Sequence, residues 1–296
     1  MKLASPRTIK ELLAKYGVKP NKILGQNFLI DKNILKKIVD TADLTPLDIV
    51  LEVGPGIGTL TQELAKNAGR VIAIEKDKVM VEAMRETLAG LDNVKIIQGD
   101  ALKIFNFQFS IFNQFPKSQF SNYKVVANIP YYLTSNLIRN LLENKNPPQE
   151  IILLIQKEVA QRICSKPPNM SLLAVSVQFY AEPKIISYVS KNCFLPAPKI
   201  DSAIIKITPR APSSHEFVRA RGSRELFFKI VKAGFSHPRK QLSGNLSKML
   251  KIERKKVNDW LLKNKINPAQ RAETLSVNDW ENLANSKKNA KMKYEI

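Results

Sequence analysis

The chain is poor in the residues from which most metal sites, disulfide frameworks and histidine-based triads are built. It contains 2 cysteines and 2 histidines among 296 residues. Cys164 and Cys193 are far apart and lack CxxC spacing, so we expect ordinary reduced thiols of a cytosolic protein. His215 and His237 are too few and too widely separated to suggest a metal cluster or a triad. We therefore expect no bound metal.

Long apolar runs are missing as well. No run approaches the roughly 20 apolar residues that a bilayer-spanning helix needs. The first residues, Met1-Lys2-Leu3-Ala4-Ser5-Pro6-Arg7, carry charge but lack the apolar core of a signal peptide. Because 44% of the residues are hydrophobic, a sizeable core is nevertheless available. These features indicate a folded cytoplasmic protein with no membrane partner.

Acidic residues are scarce relative to basic ones. The chain has 26 Asp and Glu against 47 Lys and Arg, which gives a formal net charge of +21. Such an excess favours a polyanionic partner, for which nucleic acid and an anionic membrane surface are the two alternatives. No segment has the pattern of a lipid-facing amphipathic helix, and nucleic acid is therefore the preferred interpretation.

Apolar runs and helical patterns alternate through the middle of the chain. Strands are predicted at residues 49–53, 71–74, 94–97, 125–127 and 151–155, with two late strands at 184–189 and 202–207. Helices are predicted at residues 8–16, 31–42, 59–67, 78–88 and 172–180. Continuous apolar strands separated by helices are typical of a mostly parallel sheet that is covered on both faces. The sequence therefore predicts an α/β fold with a mostly parallel seven-stranded sheet.

The composition changes after Pro209 and Pro212. From Lys206 to the end the chain carries 21 Lys and Arg against 8 Asp and Glu, and four helical patterns replace the strands. We expect a first domain of residues 1–209, a small all-α basic domain of residues 210–286, and a disordered tail of residues 287–296. Between the third and fourth strands lies a Phe-rich segment, residues 105–120, which could be a surface loop or a mobile flap beside the substrate.

A glycine-rich turn follows the first strand of the sheet. Glu52-Val53-Gly54-Pro55-Gly56-Ile57-Gly58 precedes a predicted helix. Closely spaced glycines let a backbone turn sharply and approach a ligand. A dinucleotide fingerprint would need its third glycine at Thr59, whereas the Gly-x-Gly-x-Gly spacing after an acid favours S-adenosylmethionine. A purely structural turn is the alternative. The expected architecture is thus a Rossmann-like S-adenosylmethionine-dependent methyltransferase fold.

Two further strands end in acidic residues. Glu75 ends the second strand, where a carboxylate can accept hydrogen bonds from both ribose hydroxyls. Asp100 ends the third strand and could accept from the adenine amine of the cofactor, while the Ala101 N–H reaches a ring nitrogen. The carboxyl ends of parallel strands meet at one edge, where open α/β sheets bind ligands. Each acid alone could equally be a solvated residue at a strand end.

Asn128-Ile129-Pro130-Tyr131 follows the fourth strand at the same edge. The Asn128 side chain and the Ile129 carbonyl can accept from the exocyclic amine of an adenine, and Tyr131 can stack on the base. These acceptors would favour the developing positive charge on a methylated amine. A second segment, Phe194-Leu195-Pro196-Ala197-Pro198-Lys199, precedes the last strand. Phe194 could stack on the other face of the base, or it could be a plain core residue.

The ordered set of motifs resembles the small-subunit ribosomal RNA adenine N6,N6-dimethyltransferases, whose bacterial members confer kasugamycin sensitivity. The resemblance covers residues 22–271. Besides the motifs above, it rests on Gly25-Gln26-Asn27-Phe28-Leu29 and Gly234-Phe235-Ser236-His237-Pro238-Arg239-Lys240-Gln241-Leu242. It implies that Asn27, Leu29, Gly54, Gly56, Glu75, Asp100, Ala101 and Asn128 line the cofactor pocket.

The resemblance also implies the substrate. The family methylates two adjacent adenosines in the terminal hairpin loop of 16S ribosomal RNA during late small-subunit assembly, and its basic domain docks on the particle. Arg239 and Lys240 are the implied RNA contacts. The chain departs from the family at Tyr132, where many bacterial members have Asn, and at Pro238, where an arginine is usual. Pro238 weakens the inferred RNA contact and leaves the chemistry unaffected.

Two other functions remain open from the sequence. A large-subunit adenine methyltransferase of the macrolide-resistance type shares the cofactor site and the Asn-Ile-Pro-Tyr turn. The long segment from Phe194 to Ser202 and the match in the basic domain favour the small-subunit interpretation. A non-catalytic assembly factor on the same fold is the third alternative. Nothing in the sequence requires a dimer, and we expect a monomer.

Overall fold

The chain forms two compact units. The computed structural model describes residues 3–18, 26–106, 122–210 and 221–289. The first unit comprises Met1–Ala160 and Pro183–Pro209, and the second comprises Gln161–Glu182 and Arg210–Ile296. The sequence placed one boundary near residue 209, whereas the structure also assigns Gln161–Glu182 to the second unit. Most of the Phe-rich segment and residues 290–296 of the expected tail lie outside the described residues.

The described residues contain the following elements. The helices are α1 (Pro6–Lys15), α2 (Lys32–Ala42), α3 (Thr59–Ala65), α4 (Lys78–Thr87), α5 (Ala101–Asn106), α6 (Thr134–Leu142), α7 (Lys157–Ile163), α8 (Leu172–Gln178), α9 (Arg221–Gly234), α10 (Leu242–Leu250), α11 (Arg254–Lys263) and α12 (Val277–Asn289). The strands are β1 (Phe28–Leu29), β2 (Ile49–Val53), β3 (Arg70–Glu75), β4 (Val94–Gln98), β5 (Tyr123–Asn128), β6 (Glu150–Gln156), β7 (Ala181–Val189), β8 (Phe194–Leu195) and β9 (Ser202–Pro209).

Seven strands form one sheet in the order β4-β3-β2-β5-β6-β9-β7, which confirms the predicted sheet. The first five run parallel, and β9 is antiparallel to β6. The central strands are almost entirely buried because helices cover both faces, and this explains their continuous apolar sequences. The chain order reverses at β2, so the carboxyl ends of β2 and β5 flank the crevice where such sheets bind ligands.

The N-terminal helix supports the loop that precedes α2. Helix α1 buries Ile9, Leu12 and Leu13 in a cluster that also contains Phe28 and Met80. This packing holds the short strand β1, which pairs antiparallel with β8 so that Leu29 lies opposite Phe194. The Gln26–Leu29 stretch therefore has a defined position beside the main sheet.

The second unit is helical and has its own core. Phe179 stacks on Phe227 with ring centroids 4.1 Å apart, and Trp280 is fully buried in the same cluster. Helix α12 continues to Asn289, beyond residue 287 where the sequence placed the start of a disordered tail, and Lys287 is only 3% exposed. The helix extends because its last turns pack against this core. Within the described part of the chain, no helix has the length and apolar character needed to cross a membrane.

One nearly buried lysine joins β5 to the end of α2. Lys124 Nζ donates to the Ala42 and Asp43 carbonyl oxygens at 3.0 and 2.8 Å, and it lies 3.3 Å from Asp48 Oδ2. The side chains of Lys124 and Asp48 are only 11% and 14% exposed. The ammonium therefore satisfies two carbonyls at a helix end, of which the Ala42 carbonyl is partly buried.

We expect Lys124→Met to destabilise the first unit by about 2–3 kcal/mol, because it removes the counter-charge of a partly buried carboxylate and the donor shared by two carbonyls. Thermal unfolding of the purified chain would measure the change. Lys36→Met is the matched control, since Lys36 pairs with Asp40 on the surface and is 75% exposed. Equal melting temperatures for Lys124→Met and Lys36→Met would contradict the stabilising role that we assign to Lys124.

Candidate active site

A cavity opens at the carboxyl ends of β2, β3, β4 and β5. Its walls come from six stretches of the chain that are distant in sequence but adjacent at this edge of the sheet. They are Gln26 to Leu29, Glu52 to Gly56 with Thr59 and Leu60, Ile74 to Lys76, Gly99 to Leu102, Asn128 to Leu133, and Asn136. All the residues expected to bind a cofactor therefore line a single cavity.

The glycine-rich turn contacts the Asn-Ile-Pro-Tyr turn directly. Gly54 has φ of +69°, and a Cβ placed on it would lie 3.1 Å from Pro130 Cδ. Gly56 has φ of +61°, and a Cβ there would lie 3.1 Å from the Phe28 ring. Only glycine combines these backbone angles with such close neighbours. The two turns thus form one packed unit around the cavity.

Glu75 braces the glycine-rich turn from the end of β3. Its Oε2 accepts from the Gly56 N–H at 3.0 Å, and its Oε1 accepts from the Asp77 N–H at 2.8 Å. Burial raises the pKa of Glu75, whereas these backbone hydrogen bonds act in the opposite direction. Each carboxylate oxygen can accept a second hydrogen bond, so the group can still bind a pair of hydroxyls.

Asp100 forms the adjacent wall with Lys76. Asp100 Oδ1 accepts from the Leu102 N–H at 3.0 Å, and Oδ2 lies 3.1 Å from Lys76 Nζ. Partial burial acts to raise the pKa of Asp100, but the hydrogen bond and charge of Lys76 outweigh it and lower that pKa. The sequence reasoning did not select Lys76, although its position directly after Glu75 could have indicated it.

The Asn128 amide is oriented by a residue from the N-terminal stretch. Asn128 Nδ2 donates to the Asn27 carbonyl at 3.2 Å. Because a carbonyl can only accept, this bond identifies the nitrogen end of the amide and leaves Oδ1 as the end that can accept from an amine. Ile129 is 2% exposed, which fixes the backbone that carries the second expected acceptor.

The two tyrosines after Pro130 differ in exposure. Tyr131 OH is 2.8 Å from Ser202 Oγ, and burial raises the pKa of Tyr131. Thr134 Oγ1 donates to the Tyr131 carbonyl at 3.0 Å and steadies the turn that leads into α6. Tyr132 is 54% exposed and also lines the cavity. Tyr131 and Tyr132 both line the cavity, so an aromatic ring can face a base there from this side.

Phe194 is not among the residues that line the cavity. It is 3% exposed, and its partners include Leu29, Leu35 and Ile38 of the core beside α2. This burial favours the core alternative for Phe194, and its stacking on a base stays a prediction. The pairing of β8 with β1 produces the burial, and a sequence pattern of only two residues could not have predicted that pairing.

Arg239 and Lys240 lie in the turn between α9 and α10 of the second unit, and both are exposed. Asn245 holds this turn, because its Nδ2 donates to the Gly234 and His237 carbonyls at 2.7 and 3.0 Å. The turn presents two cations on a fixed backbone despite Pro238. Phosphate groups are suitable ligands for such a pair.

Glu52 is a second residue of the cavity that the sequence reasoning did not select. It is 1% exposed, and its Oε2 has no hydrogen-bond partner among the described residues. Burial raises the pKa of Glu52 to about 8; the Thr61 hydroxyl acts in the opposite direction, and the nearby charge of Glu75 adds to the rise. A buried acceptor without a partner, on a residue that lines a cavity, is consistent with a donor such as an ammonium group completing the site.

The raised pKa of Glu52 predicts a dependence of stability on pH. The folded state holds the proton more tightly than the unfolded state, so stability is lost as the pH rises from about 4.5 to about 8. Glu52→Gln removes the ionisation. We expect both proteins to melt at similar temperatures near pH 4.5, and the variant to melt at least about 5 °C higher above pH 8.

Melting temperatures measured from pH 4.5 to 9 would check this dependence. Glu63→Gln is a suitable control because the Glu63 side chain is 35% exposed and pairs with Lys66 on the surface. If the melting temperatures of Glu52→Gln and the native chain differ by the same amount at every pH, ionisation of Glu52 is not the cause of the difference.

Comparison with known proteins identifies the family. A family model described as ribosomal RNA adenine dimethylase matches residues 17–289. Ribosomal RNA small subunit methyltransferase A of Dehalococcoides mccartyi strain CBDB1 is 42% identical over 274 residues, which cover 93% of this chain and 90% of that protein.

Two crystal structures share the fold over 88% of this chain and 98% of their own. A dimethyladenosine transferase from Plasmodium falciparum has a TM-score of 0.72 at 28% identity, and the 23S rRNA methyltransferase ErmE has 0.68 at 27%. The methyltransferase fold predicted from the sequence is thus confirmed, as is the resemblance. The chain belongs to the ribosomal RNA adenine dimethylase family.

Proposed function

We propose that the chain transfers methyl groups from S-adenosylmethionine to the N6 amines of two adjacent adenosines in the 3′-terminal hairpin loop of 16S ribosomal RNA. The substrate is the immature small subunit in the cytoplasm, and the enzyme acts as a monomer. The observation that carries the proposal is the contact of Gly54 with Pro130. This contact supports the proposal because it brings the glycine-rich turn and the Asn-Ile-Pro-Tyr turn together at one cavity that both turns line.

The residues of the cavity are suited to the cofactor. Glu75 would accept from the ribose hydroxyls, and Asp100 with Ala101 would recognise the adenine edge, with Asn27, Leu29, Gly54 and Gly56 forming the surrounding walls. Glu52 fits the ammonium of the methionine part, since its buried Oε2 otherwise has no partner among the described residues. When bound, the cofactor supplies an electrophilic methyl group on a sulfonium.

The Asn-Ile-Pro-Tyr turn would orient the target amine. The N6 lone pair is delocalised into the adenine ring, so the free amine is a poor nucleophile. Acceptors at Asn128 Oδ1 and the Ile129 carbonyl favour the pyramidal amine, on which positive charge develops. Pro130 sets the direction of the turn, and Tyr131 presents its ring to the base. Proximity and alignment then supply most of the acceleration, and no strong base is required.

The choice of small-subunit RNA is supported by the long match to the relative from Dehalococcoides mccartyi, whose name specifies that subunit. It is also supported by the basic second unit, in which Arg239 and Lys240 would contact RNA phosphates. The target base must leave its stack to enter the cavity, and a hairpin loop offers such a base more readily than a duplex.

Methyl transfer from labelled S-adenosylmethionine to immature small-subunit particles, with large-subunit RNA as control, tests the proposal. Mass mapping should find two neighbouring dimethyladenosines in the terminal small-subunit hairpin. Label confined to large-subunit RNA would instead indicate the macrolide-resistance reaction. No label in either RNA, together with retained RNA binding, would favour a non-catalytic assembly factor.

We expect Glu75→Ala to separate cofactor binding from RNA binding. The substitution removes the ribose acceptor and the brace on Gly56, so calorimetry should detect no S-adenosylmethionine binding. RNA affinity should remain nearly unchanged, because the buried carboxylate does not face the solvent. Glu63→Ala serves as the matched control on the surface. Equal losses of both affinities in Glu75→Ala would argue against this division between the two sites.

A further inference from the structure

An exposed aromatic ring with an adjacent lysine lies at the edge of the sheet in the first unit. Tyr188, near the end of β7, is 52% exposed. Lys157, the first residue after β6, places its Nζ 5.1 Å from the centroid of the Tyr188 ring. This separation is within the range of a cation–π contact, which orients the ring without burying it. Neither residue lines the cavity or takes part in the proposed chemistry.

Short contacts connect this pair to the target-base turn. The Lys157 N–H donates to the Asp201 carbonyl at 3.0 Å. The next residue, Ser202, lies opposite Gln156 in the sheet and has its Oγ 2.8 Å from Tyr131 OH. Strands β5, β6, β9 and β7 are neighbours in that order. Lys157 follows β6, one strand spacing from Asn128, and Tyr188 on β7 lies three strand spacings, roughly 14 Å, from Asn128.

The surroundings of the pair favour an anionic ligand. Lys191 is exposed, and its backbone N–H donates to Asp201 Oδ1 at 3.1 Å, which places it beside the same loop. The exposed Glu158 follows Lys157 directly in the chain, and the Asp201 carboxylate accepts the backbone hydrogen bond from Lys191. Lys157 thus places one cation over the exposed ring, and Lys191 adds an exposed lysine to the adjoining loop.

We propose that Tyr188 and Lys157 form a stacking platform for a nucleotide that flanks the target adenosine. The ring stacks on the flanking base, and the Lys157 ammonium contacts the phosphate that leads toward the cavity. The inference rests on the proposed function, because it assumes single-stranded RNA at this edge. Aromatic rings beside cations are how proteins bind unpaired nucleotides with little sequence preference.

The platform also has a physical purpose in the reaction. A target adenosine that leaves its stack loses its contact with the neighbouring base, and that neighbour is left with an exposed face. Stacking the neighbour on Tyr188 compensates for this loss and holds the backbone in the splayed form. The platform should therefore act on RNA affinity and leave the methyl-transfer step unchanged.

Substitutions of Tyr188 test the platform on immature small-subunit particles. Tyr188→Leu keeps an apolar side chain but removes the ring, and we expect KM and Kd for RNA to rise about tenfold, the loss typical of one stacked base. Tyr188→Phe and Tyr188→Trp should behave like the native chain. The value of kcat, the S-adenosylmethionine affinity and the melting temperature should remain unchanged in all three variants.

Lys157→Met tests the phosphate contact by salt titration of RNA binding. We expect the slope of log affinity against log salt to fall by about 1, as for one lost phosphate contact. Lys66→Met is the matched control, because Lys66 follows α3 at the opposite edge of the sheet and pairs with Glu63. It removes the same charge and should leave the slope nearly unchanged.

The outcomes distinguish the platform from the proposed function. The platform is overturned if Tyr188→Leu binds RNA as tightly as the native chain does. It is also overturned if Tyr188→Phe loses as much RNA affinity as Tyr188→Leu. Either result would stand even if the native chain methylates small-subunit particles. Equal slopes for Lys157→Met and Lys66→Met would overturn the phosphate contact. If the native chain labels only large-subunit RNA, the proposed substrate fails, and the same binding comparison on that RNA still decides the platform.

Discussion

The site depends on the contact between Gly54 and Pro130. A side chain at residue 54 would have to adopt φ of +69° and place its Cβ 3.1 Å from the proline ring. The glycine therefore allows the end of β2 and the end of β5 to approach each other at the point where the strand order reverses. Glu75 secures the same turn through Gly56, and Asn27 secures the opposite turn through Asn128. The two turns to which we assign the methyl donor and the methyl acceptor therefore form one packed unit rather than two independent loops.

The charge of the cavity is opposite to that of the chain. Glu52, Glu75 and Asp100 all line the cavity, with Lys76 as the cation on its wall, although the whole chain carries a net charge of +21. The acidic walls suit the proposed binding of a cofactor with a sulfonium and an ammonium, whereas the excess of lysines and arginines in the whole chain suits a polyanion such as RNA. Burial of Glu52 keeps that carboxyl largely protonated until a cation arrives, because ionising it alone in the interior is unfavourable.

The sequence patterns predicted the local parts of this structure well. The continuous apolar strands, the Gly-x-Gly-x-Gly turn and the acids at strand ends are all local features, and the parallel sheet brings them to one edge by geometry alone. The sequence was less informative where a residue's role depends on a distant partner. The burial of Phe194 follows from the pairing of two strands of two residues, and the unpaired acceptor of Glu52 follows from the walls around it. The assignment of Gln161–Glu182 to the second unit likewise results from helix packing that no local pattern contains.

The sequence by itself therefore determined the fold class, the family and the order of the cofactor motifs, because these depend on the period of apolar residues and on glycines and acids at fixed spacings. The tertiary structure alone decided which of these residues meet. It joined Asn128 to Asn27 across 101 positions of the chain, and it brought Lys157 to Tyr188 at the far end of the edge. Such contacts arise when separate strands become neighbours in a sheet, and a linear pattern does not specify which side chains then face each other.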